Sequence, residues 1–301
     1  MTTPTLDDAS RNVDSAGLAA QENAFSEFWY RFSRNKAAVG CLVVMLAVVA
    51  VALLAPVISP HDPLRGVGPA QQPPGTPGHL LGTDHLGRDM LAQVIHGARV
   101  SLLVGFVVAA AATLLGIIIG AVAGYYGGWV DNVLMRVTEF FQTLPRLVLA
   151  LIIVALFGSG LVKLIVVISI LSWPQTARVV RSGFRTLRSA AFVDAARVSG
   201  VPGWRIIVRE ILPNILAPVV VVASLDVATA ILTEASLSFF GLGDPNVVSW
   251  GGMLQQAQQY LRSAWWMAVF PGAAIAVLVL TFNVLGDGLN DALNPRLKDK
   301  K

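Results

Sequence analysis

Residues 192–214 read FVDAARVSGVPGWRIIVREILPN. Phe192 to Val198 favours a helix, and Ala195, Ala196 and Val198 give that helix a small apolar patch. Gly200, Pro202 and Gly203 end it, since both residue types break helices. Upstream, Arg178, Arg181, Arg185 and Arg188 fall at i, i+3, i+7 and i+10, which lines one helical face with positive charge. Such a face suits anionic lipid head groups or an acidic protein partner. A short polar-side helix with small residues on its surface reads as a docking element; a plain connecting loop is the simpler alternative.

The flanks on either side of this segment are apolar and long. Of 301 residues, 55% are hydrophobic and 13% are charged, against about 25% charged in a typical soluble domain. This excludes a disordered chain and argues against an ordinary soluble one. The formal charge of +4 would suit nucleic acid, but the basic residues lie between apolar runs and at the two ends. That is the pattern of a cytoplasmic membrane rim, so no nucleic-acid partner is expected. The single cysteine, Cys41, rules out a disulfide framework within the chain and a cysteine-rich metal site.

A helix needs about 20 apolar residues to cross the hydrocarbon. Ala37–Ile58, Val100–Val122 and Ser263–Gly286 carry no charge over 22, 23 and 24 residues. The Gly-Ser-Gly turn at 158–160 divides the middle into helices at about 130–157 and 161–182. A further span at about 211–236 carries Asp226 and Glu234, which brings the total to six. Arginine and lysine then fix the orientation. The N-terminal tail (Arg11, Arg31, Arg34, Lys36), the segment 178–209 with seven arginines, and the C-terminal tail (Arg296, Lys298, Lys300, Lys301) all fall on one side. That side is the cytoplasm, and both termini lie there. The expected organisation is a cytoplasmic tail over 1–36, a first span over 37–58 and an extracytoplasmic loop over 59–98. A five-helix core over 99–290 follows, with a cytoplasmic loop at about 183–210, and then a cytoplasmic tail over 291–301.

The polar lead before the first span is too long for a cleaved signal peptide. Within it Phe25, Phe28, Trp29 and Phe32 repeat at i, i+3, i+4 and i+7, which predicts an amphipathic helix in the inner interface. Gly116, Gly120 and Gly124 recur every fourth residue, so this face of the second span packs closely on protein. Pro145, Pro174, Pro213, Pro218 and Pro271 interrupt the later spans, as in a helical transport path or a kinked bundle.

No lysine follows a glycine, so no G-x-x-x-x-G-K-[ST] phosphate cradle is present. His61, His79, His85 and His96 all fall in the first outer loop, away from any buried serine, which disfavours an intramembrane serine protease. Their spacings of 18, 6 and 11 match no local ligand motif, so no metal site is expected. No catalytic residue is assigned. The outer loop does hold an ordered-looking block, in which Thr83, Asp84, Arg88 and Asp89 form either a cap at the outer surface or an internal brace with Asp84 or Asp89 paired to Arg88 or Arg99. Asp226 and Glu234, eight residues apart, share a helical face and should avoid lipid, where an ionised carboxylate costs a few kcal/mol.

The spacing Asp194-Ala195-Ala196, three residues, Gly200, then Ile-Leu-Pro at 211–213 resembles the "EAA" loop of ABC importer permeases. Asp194 stands where that family usually has Glu, and Glu210 where it usually has an aliphatic residue. HLLGTDHLGRD (79–89), GARVSLLVG (97–105), AGYYGGWVDNVLMR (123–136), TEASLSFFGLG (233–243), SWGGML (249–254) and FNVLGDGLNDALNPRLK (282–298) resemble blocks of the dipeptide and oligopeptide permeases, closest to their "C" subunit. In the last block Asn290 and Asn294 replace the commoner Arg and Asp.

The resemblance implies an all-α polytopic membrane protein of the type I ABC importer permease fold, in a prokaryotic inner or plasma membrane. It implies a homologous permease as heterodimer partner, two ABC ATPase subunits that hold ATP and Mg, and an extracytoplasmic substrate-binding protein. This chain would bind no cofactor itself. Phe192, Asp194, Ala195, Ala196, Gly200 and Val201 would couple to the ATPase, and Asp226 and Glu234 are candidates for the translocation path. Readings from other classes stay open: an ion-coupled carrier using Asp226 and Glu234, or a membrane scaffold. Within the importer reading, peptide, glutathione and nickel-chelate substrates all remain.

Overall fold

The uncharged run after Lys36 forms the first long helix of the chain, α1 (Lys36–Ile58). The Asn35 side chain accepts from Ala38 N–H at 3.1 Å, which satisfies one of the donors a helix start leaves open. The structure is a computed structural model that describes residues 26–59 and 61–293. The basic residues of the C-terminal tail, the first 25 residues and Phe25 of the aromatic stripe lie outside the described residues. The following elements are α2 (Met90–Tyr126), α3 (Gly128–Thr143), α4 (Arg146–Phe157), α5 (Leu161–Leu187), α6 (Ala191–Val198), α7 (Leu216–Leu237), α8 (Trp250–Ala257) and α9 (Trp266–Leu293). No strand forms among the described residues; three isolated bridges pin the outer loop.

Among the described residues, five helical stretches are long and apolar enough to cross a membrane: α1, α2, α5, Gly203–Leu242 and α9. The sixth crossing expected at 130–157 is not one helix. α3 and α4 meet at 84°. Pro145 has no N–H to continue the ladder, and Leu144 before it is extended (φ −83°, ψ 135°), as a residue preceding proline prefers. The other prolines act more mildly. Pro174 and Pro271 lie within the continuous helices α5 and α9. Pro213 falls in a 3-10 turn, and Pro218 in the first turns of α7. The fifth span starts earlier than expected, at Gly203, and passes through a π turn over Ile206–Ile211 before α7.

The outer loop is also shorter than expected. Helix α2 begins at Met90, so Arg99 and His96 are helical residues and the loop ends at Asp89. The side chain of Asp89 caps the helix by accepting from Ala92 N–H at 2.8 Å. Residues 26–34 are helical, as the aromatic spacing predicts. Phe32 is buried against Ala38, Leu285 and Ala292, whereas Trp29 and Tyr30 are exposed. Phe28 packs against the same cluster, so one edge of this helix seats on α9 while Trp29 and Tyr30 stay exposed.

The α2–α5 contact is the most extensive in the bundle. The glycine stripe makes it possible: a Cβ at Gly116 would lie 2.6 Å from Thr176 Cβ, one at Gly120 2.4 Å from the Ala177 carbonyl oxygen, and one at Gly124 2.5 Å from Phe184 Cβ. The neighbour that the glycine spacing demanded is thus in this chain. Gly120→Ala is expected to cost about 1–3 kcal/mol through forced separation of the two helices. It should appear as a lower Tm of the purified protein. Gly40→Ala, where a Cβ meets nothing within 4 Å, should leave Tm unchanged or slightly raised.

Candidate functional site

Helix α6 ends at Val198, five residues short of the 192–203 helix that the sequence suggested. A Schellman motif terminates it. Gly200 N–H donates to Arg197 O and Val201 N–H to Ala196 O, both at 3.0 Å, and Gly200 adopts φ +75°. A side chain at 200 would strain that left-handed turn.

The two faces of α6 differ. Val193 is fully buried in a core with Phe184, Ile206, Ile211 and Ile215, and Ala196 and Val201 pack against it. Phe192, Asp194, Ala195 and Val198 face outward, with Val198 90% exposed. The six residues proposed for docking therefore divide. Phe192, Asp194 and Ala195 are surface groups, Ala196 and Val201 help root the helix in its own chain, and Gly200 shapes the turn. Val198, which the family pattern did not single out, presents the barest apolar surface. Its signal was present as an apolar residue directly ahead of a Ser-Gly stop.

The root of α6 is braced on several sides. The Arg197 guanidinium lies 5.6 Å from the Tyr125 ring centroid, a cation–π contact to the end of α2. Arg181 grips Asp131 with two bonds, at 2.5 and 2.6 Å, and so ties α5 to α3. The arginine stripe 178–188 is thus not wholly directed at lipid or a partner, because Arg181 has found its acid within the chain. Arg188 packs over Gly127 at the α2–α3 turn.

Asp226 and Glu234 avoid lipid, as their cost in hydrocarbon requires. They are 5% and 1% exposed. Thr176 of α5 donates to Asp226 Oδ2 at 3.2 Å, and Ser238 donates to Glu234 Oε1 at 2.7 Å. Glu234 Oε2 is buried with no hydrogen-bond partner among the described residues. Just outside it lies a polar cavity of about 210 Å³ lined by Arg88, Gln93, Ser238, Asp244, Ser249 and Gln256 among others.

Thr83, Asp84, Arg88 and Asp89 are all buried, and the brace reading holds for the pair Asp84–Arg88. Asp84 Oδ2 accepts from Arg88 Nε at 2.6 Å and from Gln93 Nε2 at 3.0 Å, and Oδ1 accepts from Leu86 and Arg88 N–H at 2.8 and 2.9 Å. Arg88 reaches on to Gln256 Oε1 at 2.5 Å, so α8 joins the brace. Trp266 Nε1 donates to Thr83 O at 3.1 Å, which fastens the loop to the start of α9, and Trp250 Nε1 donates to Val94 O at 2.9 Å, which ties α8 to α2. Asp89 does not join Arg88 or Arg99; it pairs with His79 at 2.9 Å.

Asp244 adds a link that nothing local in the sequence marked. Its carboxylate accepts from Asn246 N–H at 2.9 Å and from Leu161 N–H at 3.1 Å, and so caps α5 from the far side of the fold. Those backbone bonds, Asn246 first, hold its carboxyl below the usual range. A lowered folded pKa contributes stability that is complete above the unfolded value, near 4, and is lost as pH falls through the folded one. The Tm difference between wild type and Asp244→Ala should therefore be largest at neutral pH and shrink below about pH 4.

Residues 116–299 match the family described as the binding-protein-dependent transport system inner membrane component. The chain belongs to this permease family. Residues 23–76 match the N-terminal transmembrane domain of oligopeptide transport permease C. The dipeptide transport permease of Escherichia coli is 43% identical over 279 residues, covering 90% of this chain and 93% of that protein. The di/tripeptide permease of Pseudomonas aeruginosa is 40% identical over 280 residues, covering 91% and 92%. The glutathione permease of Pectobacterium atrosepticum is 38% identical over 280 residues, covering 90% and 91%. A chain of the MetNI methionine ABC transporter, in inward-facing conformations, has a TM-score of 0.56 at 18% identity, covering 68% of this chain and 98% of that chain. At that identity the likeness is one of fold. This permease is accordingly an all-α, multi-pass membrane protein with the type I ABC importer permease fold, and a transport subunit.

Proposed function

We propose that this permease imports di- and oligopeptides as one half of a pore. Its partners are a homologous six-span permease, two ATPase subunits carrying ATP and Mg, and an extracytoplasmic peptide-binding protein. Both termini lie in the cytoplasm, as the arginine and lysine bias supports. The observation that carries this reading is α6: an exposed helix that presents Phe192, Ala195 and Val198 outward on a packed root. Relatives named for dipeptides, di/tripeptides and the tripeptide glutathione support a small-peptide substrate.

The same packing supplies a route for force. An ATPase that moves α6 moves Val193, and with it the end of α5 at Phe184 and the approach to α7 at Ile206–Ile215. α5 is locked to α2 through the glycine stripe, and α7 carries Asp226 and Glu234. The bundle can then switch as a body between inward-facing and outward-facing states. Glu234 lies beneath the outer polar cavity, at the place where a peptide's charged backbone ends would enter.

The test is reconstitution of the whole complex in proteoliposomes with labelled dipeptide. Uptake should require ATP and the binding protein and should survive a proton uncoupler. Uptake driven by an ion gradient without ATP would overturn the proposal.

A further inference from the structure

The outer loop brings together three groups that the sequence keeps far apart. A nitrogen of His61, a nitrogen of His79 and a carboxylate oxygen of Asp89 all lie within 4.8 Å of one another. His79 and Asp89 are buried, and the two imidazole centroids are 5.5 Å apart. We infer that these residues form a binding site for a divalent transition cation of the Zn²⁺ class.

Four observations converge on it. His61 Nδ1 is buried with no hydrogen-bond partner among the described residues, so a lone pair or a proton there is unspent. His79 Nε2 packs against Gly68, where a Cβ would sit 2.8 Å away, which leaves Nδ1 as the nitrogen facing Asp89. His79 Nδ1 and Asp89 Oδ1 are 2.9 Å apart, close to the roughly 3.3 Å that separates two ligands on a tetrahedral zinc. An opening of about 380 Å³, lined by Thr76, Gly78, His79 and Asp89 among others, supplies an entry path.

Two imidazoles and one carboxylate are a nitrogen-rich donor set. It suits Zn²⁺ with a water in the fourth position and disfavours the oxygen-seeking Mg²⁺ and Ca²⁺. Binding through His79 Nδ1 would replace the 2.9 Å contact between His79 Nδ1 and Asp89 Oδ1 with a bond from each to the ion. The second carboxylate oxygen of Asp89 already caps α2 through Ala92 N–H, which fixes the ligand's orientation. His61 is held by Ser59, whose hydroxyl donates to His61 O at 2.7 Å. The ion would thus staple the exit of α1 to the entry of α2 and close the whole outer loop.

The full chain without an affinity tag, in nanodiscs and stripped of metal, is titrated with Zn²⁺ against a chromophoric chelator. One Zn²⁺ per chain is expected, with H61A and H79A each lowering affinity tenfold or more and H85A and H96A leaving it unchanged. Saturating Zn²⁺ should also raise the Tm of wild type by about 5 °C and leave that of H61A where it was. H61A is the decisive variant, because the Nδ1 it removes breaks no hydrogen bond among the described residues, and its metal-free Tm against wild type reads what loss of the ring contact with His79 costs the fold. No Zn²⁺ bound by the wild type at 100 µM (about 10⁻⁴ M), or an H61A affinity within tenfold of the wild type, would overturn the inference.

Discussion

Val198→Asp is expected to abolish ATP-driven uptake, by at least about 100-fold, while the permease still folds and inserts. Val198 is 90% exposed and touches nothing that the fold depends on, so the substitution costs the free chain little. In a docked complex the same side chain sits at the apolar tip of α6, and a carboxylate forced into a dry groove there costs several kcal/mol unless it finds a partner. Ala195→Trp should act alike through bulk, since Ala195 is on the same exposed face. Ala196→Trp should behave differently. Its side chain points towards the Val193 core, so it should lower the Tm of the permease itself. Co-purification of the ATPase subunits, together with uptake, separates these outcomes. Full assembly and normal uptake by both Val198→Asp and Ala195→Trp would remove α6 as the coupling element.

Asp84→Ala should be the most damaging single change in the outer loop. Asp84 is 1% exposed and receives four hydrogen bonds, one of them from the Arg88 guanidinium. Deleting the acid leaves Arg88 buried with only Gln256 to meet it. Breaking a buried pair in this way costs about 3–5 kcal/mol. The expected readout is a fall in Tm and rapid proteolysis within 61–89 in the purified complex. Arg88→Met on the Asp84→Ala background should recover part of the loss, because it removes the stranded charge. A Tm unchanged by Asp84→Ala would mean that the brace contributes nothing to the closed loop.

The sequence by itself determined the membrane class, five apolar runs long enough to cross and the glycine stripe on α2, and its arginine bias supports a cytoplasmic place for residues 178–209. Each rests on a local quantity: the length of an apolar run against the thickness of hydrocarbon, the bias of arginine and lysine, or a four-residue repeat.

Only the tertiary structure decided which face of α6 is free, because Ala196 and Val198 are equivalent in composition and differ only in where the end of α5 and the π turn at 206–211 come to rest. It also decided the 84° break at Pro145, since a proline within an apolar run is compatible with a kink as well as a break. The same holds for the pairings: Arg181 with Asp131 and Thr176 with Asp226, each 50 residues apart, Arg88 with Gln256, 168 apart, and His61 with His79 and Asp89. A buried polar group must find a partner, but which one it finds is set by the packing of helices far apart in the chain, and no local pattern carries that choice.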